Sequence, residues 1–289
     1  MTAGQGAQPV RVRLAGLALI GPALALMGAI YLWPMLGLGR MAFNETGSTG
    51  AMVPALSLAT FKGLFEDPFT LETTWNSVWL SFLSTLLALV LAYPLALFLH
   101  RTTSRFRALL TVLAVAPMLV SGVVRVFGWL ALLGDRGLIN AALMGSGLTA
   151  QPTRLVYNYF GVTLGLAESL MPYMILALLA GFGRLDRACE EAAATLGAPP
   201  WRVFFRVTLP LTIPAIVLGC LLCFVLAMSA YITPKLLGGG RVFLLATEIF
   251  DHAVTNANWP AAAALALYTL VLVLLLVAAY AVLTRRVEA

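Results

Sequence analysis

Charge is scarce in this chain. Only 10% of its 289 residues are Asp, Glu, Lys or Arg, whereas 61% are hydrophobic, and its mean hydropathy is +0.94. Soluble domains carry about a quarter charged residues, so a soluble globular protein is excluded. The net charge of +6 does not indicate nucleic-acid binding, because basic residues also orient membrane proteins. The chain is an integral membrane protein.

Lysine, histidine and cysteine are also rare. The two lysines, Lys62 and Lys235, do not follow the GxxxxG of a phosphate-binding loop, so the chain cannot hydrolyse ATP by that route. Two histidines exclude a histidine-rich metal site, and nothing indicates a cofactor. Three cysteines indicate no disulfide framework, and the Cys220–Cys223 CxxC lies in an apolar run where packing is the expected role. Without GxSxG or HExxH, we expect a transport pathway and not an enzyme.

Six apolar windows are long enough to cross about 30 Å of hydrocarbon as helices. They are approximately Leu14–Leu38, Thr74–Leu99, Ala108–Leu133, Tyr159–Phe182, Leu211–Ile232 and Ala261–Thr284. Helices are expected because lipid offers the backbone no hydrogen-bond partner. The sequence therefore predicts an all-α polytopic membrane protein with six transmembrane helices, the first of which is an uncleaved span and not a signal peptide.

The basic residues predict the orientation. With a cytoplasmic N-terminus, eleven of the 18 lie inside, six lie outside, and Arg125 lies within a span. The positive-inside rule then places both termini in the cytoplasm. The predicted segments are a tail over 1–13, a first span with its outer loop over 14–70, a five-helix core over 71–284, and a tail over 285–289.

The core contains a charged, alanine-rich cytoplasmic loop at 184–210. Gly197 suits the left-handed residue that ends a helix, and Pro199-Pro200 can begin a helix, so we expect a helix, a sharp turn and a second helix. In the second helix, Trp201, Phe204, Phe205 and Thr208 share a face, as in an interfacial amphipathic helix. From these properties alone, the loop is either a solvated anchor or a surface that another protein contacts.

The spacing within this loop is more specific. Glu191-Ala192-Ala193 is followed after three residues by Gly197, and after nine more by Val207-Thr208-Leu209-Pro210. This resembles the EAA loop (EAA-x3-G-x9-I-x-LP) of permease subunits in bacterial binding-protein-dependent ABC importers, with Val207 in place of Ile. The resemblance implies a coupling helix that docks onto an ATPase subunit. The residues implied in coupling are Glu190, Glu191, Ala192, Ala193, Gly197, Leu209 and Pro210.

Other phrases resemble the spermidine/putrescine-type permeases within that family. They are AYPLAL at 92–97, VRVFGWLALLGDRGLIN at 124–140, LMPYMILAL at 170–178 and ITPKLLGGG at 232–240. The resemblance implies a type I ABC importer permease fold in the bacterial inner membrane. It also implies three kinds of partner: a second permease subunit, a pair of ATPase subunits, and a periplasmic or extracellular solute-binding protein. The implied solute is a polyamine or another small amine.

Arg125 and Glu168 are the only charges well inside predicted spans. Charged side chains in hydrocarbon face a partner, water or a solute. The two residues either pair and lock their helices together, or Glu168 holds a ligand ammonium beside the rings of Trp129, Tyr173 or Tyr231 through cation–π contact.

Three alternatives to polyamine import stay open. The solute can instead be iron, thiamine, an amino acid derivative or an oxyanion, because permeases for such solutes share parts of these phrases. A secondary transporter or channel would use Arg125 and Glu168 as an ion relay, and a scaffold would have no path. Only an ABC importer requires the EAA loop.

Overall fold

The computed structural model describes residues 8–46, 52–53, 56–183 and 185–288. The helices are α1 (Gln8–Ala42), α2 (Ala59–Glu66), α3 (Pro68–Arg101), α4 (Arg107–Val115), α5 (Gly122–Leu133), α6 (Leu138–Gly145), α7 (Tyr159–Phe182), α8 (Arg187–Thr195), α9 (Pro200–Val203), α10 (Leu209–Ser229), α11 (Ile232–Leu237), α12 (Leu245–Phe250) and α13 (Trp259–Glu288). A 3₁₀ turn covers Ala116–Leu119, and π-helical turns cover Phe204–Thr208 and Asp251–Thr255. A two-residue ribbon pairs β1 (Glu45–Thr46) with β2 (Met52–Val53). The predicted all-α class is confirmed.

Within the described residues, six segments are long and apolar enough to cross a membrane. They are Ile20–Ala42, Pro68–Arg101, Gly122–Gly145, Tyr159–Phe182, Pro200–Ser229 and Trp259–Thr284. The predicted number of spans is therefore confirmed. At the chain ends the helical backbone begins at Gln8, within the predicted 1–13 tail, and continues to Glu288, within the predicted 285–289 tail. Residues 1–7 and Ala289 of those two tails lie outside the described residues.

The predicted third span, from Ala108 to Leu133, is wrong in its boundaries. The backbone leaves the helix after the 3₁₀ turn, because Val120 and Ser121 are extended, and α5 starts again at Gly122. Pro117 lies in that turn and has no backbone N–H to donate to a continuous helix. The segment that can cross is instead Gly122–Gly145, formed by α5, a tight turn and α6.

The core is built around α7, which packs against α3 and α10. One buried cluster joins the C-terminal halves of α3 and α7 to α10. It includes Leu99, Leu178 and Phe182. A second cluster surrounds Leu80 and Leu166 and joins α5 and α11 to the opposite ends of α3 and α7. The two clusters hold the long helices in a fixed arrangement from one end to the other.

Small residues allow α7 and α10 to approach closely. A Cβ added at Gly181 would overlap Ala215 of α10, and one added at Gly219 would lie 2.9 Å from the Met174 sulfur. Helices in membranes commonly associate through such small residues, because dispersion contacts between them need close backbones. This contact positions the start of α10, next to the 184–210 loop.

Candidate functional site

The 184–210 loop folds as a helix, a turn and a second helix. Asp186 caps α8 by accepting a hydrogen bond from the Ala188 N–H at 2.9 Å. Gly197 follows α8 with φ +81°, the left-handed conformation that glycine adopts without a steric penalty. Pro200 occupies the first turn of α9, where no N–H is needed. Arg184, the first residue of the predicted loop, lies outside the described residues.

One side of α8 is open to solvent. Glu191, Ala192 and Gly197 are exposed, and Ala193 is half-buried. Leu196, at the end of the helix, is 88% exposed. We call the exposed residues Glu191, Ala192 and Leu196 the docking face. An exposed patch of small and apolar side chains on a charged loop is typical of a protein–protein contact.

Glu190 does not belong to this face. The Arg101 guanidinium donates to Glu190 Oε1 at 2.6 Å, and the Thr208 hydroxyl donates to the same oxygen at 2.6 Å. The Glu190 side chain is only 17% exposed. Sequence reasoning missed Arg101, which is 89 residues away along the chain and belongs to no motif. The two consecutive glutamates therefore have different environments.

The second helix does not present the single aromatic face that its spacing predicted. Trp201 and Phe205 are 61% and 59% exposed, whereas Thr208 is fully buried and Phe204 packs edge-to-face on Tyr93. A π-helical turn has more residues per turn than an α-helix, so it rotates the residues that follow it. The turn over Phe204–Thr208 therefore divides the predicted face between solvent and core.

The last two predicted coupling residues begin α10. Leu209 packs against the buried cluster of α3, α7 and α10. Pro210 is exposed in the first turn of α10, where its missing N–H leaves no helical hydrogen bond unmade. Both residues shape the start of α10, and neither lies on the docking face of α8.

The structure brings Arg125, Trp129 and Glu168 together. Arg125 Nη1 lies 3.4 Å from both carboxylate oxygens of Glu168, and the Trp129 indole N–H points to Oε2 at 3.5 Å. The Arg125 and Glu168 side chains are 19% and 24% exposed. These distances exceed the 2.7–2.9 Å of a strong charge-assisted hydrogen bond. The group is thus an ion pair in loose contact and partly accessible.

The two tyrosines predicted for this group are placed differently. Tyr173 lies on α7, half-buried, and packs against the cluster around Leu178. The Tyr231 ring stacks on Phe250 with 4.8 Å between the centroids. Tyr231 also lines a cavity of about 570 Å³ between α10, α12 and α13, and none of Arg125, Trp129 and Glu168 lines that cavity.

A second charged group, which sequence reasoning missed, links α11 to the turn after α12. Lys235 Nζ donates to both carboxylate oxygens of Asp251, at 2.5 and 2.6 Å. Burial raises the pKa of the nearby Glu248 carboxyl, and the charges of Asp251 and Asp67 raise it further while Lys235 opposes them. The ion pair joins the segment that follows Tyr231 to the turn that follows Phe250.

Comparisons with known proteins agree with this arrangement. Residues 84–289 match the family described as binding-protein-dependent transport system inner membrane component. The spermidine/putrescine transport system permease protein PotB of Haemophilus influenzae is 34% identical over 237 residues, which cover 81% of this chain and 82% of that protein. The inner membrane ABC transporter permease protein YdcU of Escherichia coli is 30% identical over 277 residues, which cover 91% and 87%.

A solved structure shares the fold. It is the crystal structure of a bacterial alginate ABC transporter in complex with an alginate pentasaccharide-bound periplasmic protein. One of its chains aligns with 96% of this chain and over 96% of its own length, with a TM-score of 0.77 and 21% identity. At this identity the likeness concerns the arrangement of helices and not the solute.

Proposed function

The chain belongs to the family of binding-protein-dependent transport system inner membrane components and is a permease subunit of an ABC importer, and we propose that its helix α8 docks onto a separate ATPase subunit. The docking face carries the proposal, because it is exposed and holds the EAA-type Glu191 and Ala192. No GxxxxGK occurs in the chain, so ATP hydrolysis is assigned to the partner.

The proposed assembly has this chain as one half of the solute path. A second permease subunit forms the other half, and a binding protein delivers solute from outside. ATP binding would close the ATPase pair and displace α8, which shifts the balance between outward-open and inward-open states. Both chain termini and α8 lie on the cytoplasmic side in this proposal, and the surplus of basic residues there supports it.

The proposed solute is a polyamine, with spermidine and putrescine as the first probes. The relative PotB of Haemophilus influenzae, 82% of which is covered by the match, is named for these two solutes. Glu168 supplies a partly exposed carboxylate, and Trp129 supplies a ring beside it, which is a combination that binds ammonium groups. In this proposal Arg125 neutralises Glu168 while the path is empty, and a solute ammonium takes its place.

One observation favours a different solute. Among the described residues, the buried Arg125 Nε has no hydrogen-bond partner, although Nη1 of the same guanidinium contacts Glu168. An anionic solute would satisfy this donor, because guanidinium groups bind carboxylates and oxyanions through two parallel hydrogen bonds. A small anion is therefore the second candidate.

The docking proposal is tested with Glu191→Lys in the complex purified with its natural partners. Charge reversal at a docked carboxylate should reduce ATPase co-purification and solute uptake by about tenfold or more, because an unpaired charge in an interface is costly. Insertion into the membrane should not change, since Glu191 is exposed. Normal co-purification of the ATPase with this variant would contradict the assignment.

The solute is tested separately on the co-purified binding protein. Its thermal unfolding is measured with polyamines, amino acids and oxyanions, since a bound ligand raises the unfolding temperature by mass action. Stabilisation by spermidine or putrescine supports the first candidate. Stabilisation by an oxyanion or a carboxylate, without any by polyamines, supports the second.

A further inference from the structure

One carboxylate oxygen of Glu190 connects α8 to the end of α3 and to the start of α10. Glu190 Oε1 accepts hydrogen bonds from Arg101, the last residue of α3, and from Thr208, which directly precedes α10. Both bonds are 2.6 Å long, and hydrogen bonds of this length to an ionised group are the strong ones. The docking helix is therefore linked to two long core helices through one side chain.

The π-helical turn makes this contact possible. In a regular α-helix Thr208 would lie two turns after Trp201 on the same face, which is exposed. The Leu209 N–H bonds instead to the Phe204 carbonyl, five residues back, and Thr208 is buried. Single π-helical turns are found frequently at functional sites. Here the extra residue turns the Thr208 hydroxyl toward Glu190.

A second link lies deeper along the same two helices. The Tyr93 hydroxyl of α3 and the Thr212 hydroxyl of α10 are 2.9 Å apart, and both residues are buried. The Tyr93 ring also meets Phe182 and Phe204 edge-to-face. The ends of α3, α7 and α10 that lie toward α8 are thus packed as one unit, and Glu190 connects α8 to that unit.

We propose that Glu190 is a positioning residue that transmits displacement of α8 to α3 and α10, and that it does not contact the ATPase. The inference rests on the proposed docking of α8. Glu191 faces the partner and Glu190 faces the core, so a push on the docking face is carried inward by the Arg101–Glu190–Thr208 contact. Removing that contact leaves docking intact and weakens the response of the helices.

The test uses Glu190→Gln and Thr208→Val in the complete transporter, reconstituted with its ATPase, second permease and binding protein. Glu190→Gln removes the charge, and Thr208→Val removes the hydroxyl while keeping the side-chain size. ATPase co-purification should equal that of the wild type. Stimulation of ATP hydrolysis by the binding protein with spermidine should fall about fivefold or more, as expected for the loss of a coupling contact.

Two matched substitutions serve as controls. Glu72→Gln changes an exposed glutamate near the start of α3, and Thr111→Val removes the hydroxyl of a half-buried residue that donates to the Arg107 carbonyl of its own helix. Both should keep stimulation within about twofold of wild type, as surface substitutions do.

A second measurement does not depend on the solute. A spin label on the exposed Cys189 reports the mobility of α8 in the permease without its ATPase, once Cys220 and Cys223 are replaced by alanine. Glu190→Gln and Thr208→Val should both increase this mobility, because each weakens the Arg101–Glu190–Thr208 contact that helps to hold α8 to the core. Neither control should change it.

The outcomes separate the two proposals. Loss of the ATPase from the Glu190→Gln complex, with unchanged label mobility, would show a direct docking contact and overturn the positioning role. Stimulation within twofold of wild type in both variants would overturn it as well. Failure of the docking proposal itself is visible only in Glu191→Lys, and a wrong choice of solute is visible as absent stimulation in the wild type.

Discussion

Glu190 and Glu191 are consecutive glutamates in different environments. Glu190 is largely buried against the core, and Glu191 is exposed to solvent. Along a helix, consecutive residues point about 100° apart, so one of the pair can face the core while the other faces solvent. The motif spacing identified Glu191. The two hydrogen bonds to Glu190 come from residues 89 and 18 positions away, which no local pattern reveals.

From the sequence, Arg125 and Glu168 either pair with each other or Glu168 holds a ligand ammonium. In the structure the two side chains are in contact. A contact does not by itself make the pair structural, since the distances are long and both side chains are partly exposed. A tightly bonded buried pair would be expected at shorter distances and without access to water. This geometry supports the proposal that a solute ammonium competes with Arg125 for Glu168.

Glu168→Gln should reduce polyamine uptake by about tenfold or more while membrane accumulation stays above half of the wild-type level. The reason is that the amide keeps the side-chain shape but removes the charge that attracts an ammonium group. Uptake of labelled spermidine and quantitative immunoblotting measure the two effects.

The double variant Arg125→Gln/Glu168→Gln is the matched control. It removes both charges, so no unpaired charge remains in the membrane. We expect accumulation close to wild type and no recovery of uptake. Recovery of accumulation and uptake together would mean that the pair only holds α5 and α7 in place.

Among the helices, α7 and α10 approach closely because Gly181 has no side chain at the point where it meets Ala215. Gly181→Ala should destabilise the protein by about 1–3 kcal/mol, because the added Cβ overlaps Ala215 and forces two packed helices apart. The change is measured as the fraction that stays monodisperse in detergent after heating.

Gly128→Ala on α5 is the control for the same substitution. A Cβ at Gly128 meets no atom of the described residues within 4 Å, so the substitution should be neutral or slightly stabilising through helix propensity. Equal stability of the two variants would contradict the close approach of α7 and α10.

The third predicted span is divided into two helical segments, which hydropathy alone does not predict. The window over 108–133 carries no charge apart from Arg125 and is mostly apolar, so hydropathy predicts one helix. The helix ends because Pro117 has no N–H to donate and the next residues turn extended, while α6 supplies the remaining length. Hydropathy measures preference for lipid and does not measure helix continuity.

For the molecule as a whole, the proposed orientation has the six candidate spans cross the membrane with both termini in the cytoplasm. The native Cys189 allows this orientation to be tested, because it is exposed on α8. The other two cysteines lie within a span, where Cys223 is buried and Cys220 is half-buried. In cells that express the permease without its ATPase, which would otherwise cover α8, a membrane-impermeant maleimide should label Cys189 in inverted vesicles and not in intact spheroplasts. The positive-inside rule is the physical basis for this expectation.

Cys189→Ser should remove the labelling, and Ser146→Cys in that background is the matched outer probe. Ser146 is exposed just after α6, on the side that the proposed orientation places outside. It should label in spheroplasts. Labelling of Cys189 in spheroplasts would reverse the orientation and remove α8 from the ATPase.

Local patterns were enough to predict the class, the number of spans and the helix–turn–helix that carries the EAA-type residues. Each of these depends on hydropathy or on residue spacing within about 30 positions. The inward position of Glu190 and the stacking of Tyr231 on Phe250 follow instead from packing between distant segments. Such contacts form only when α3, α7 and α10 are brought together, because they join residues that no local periodicity relates.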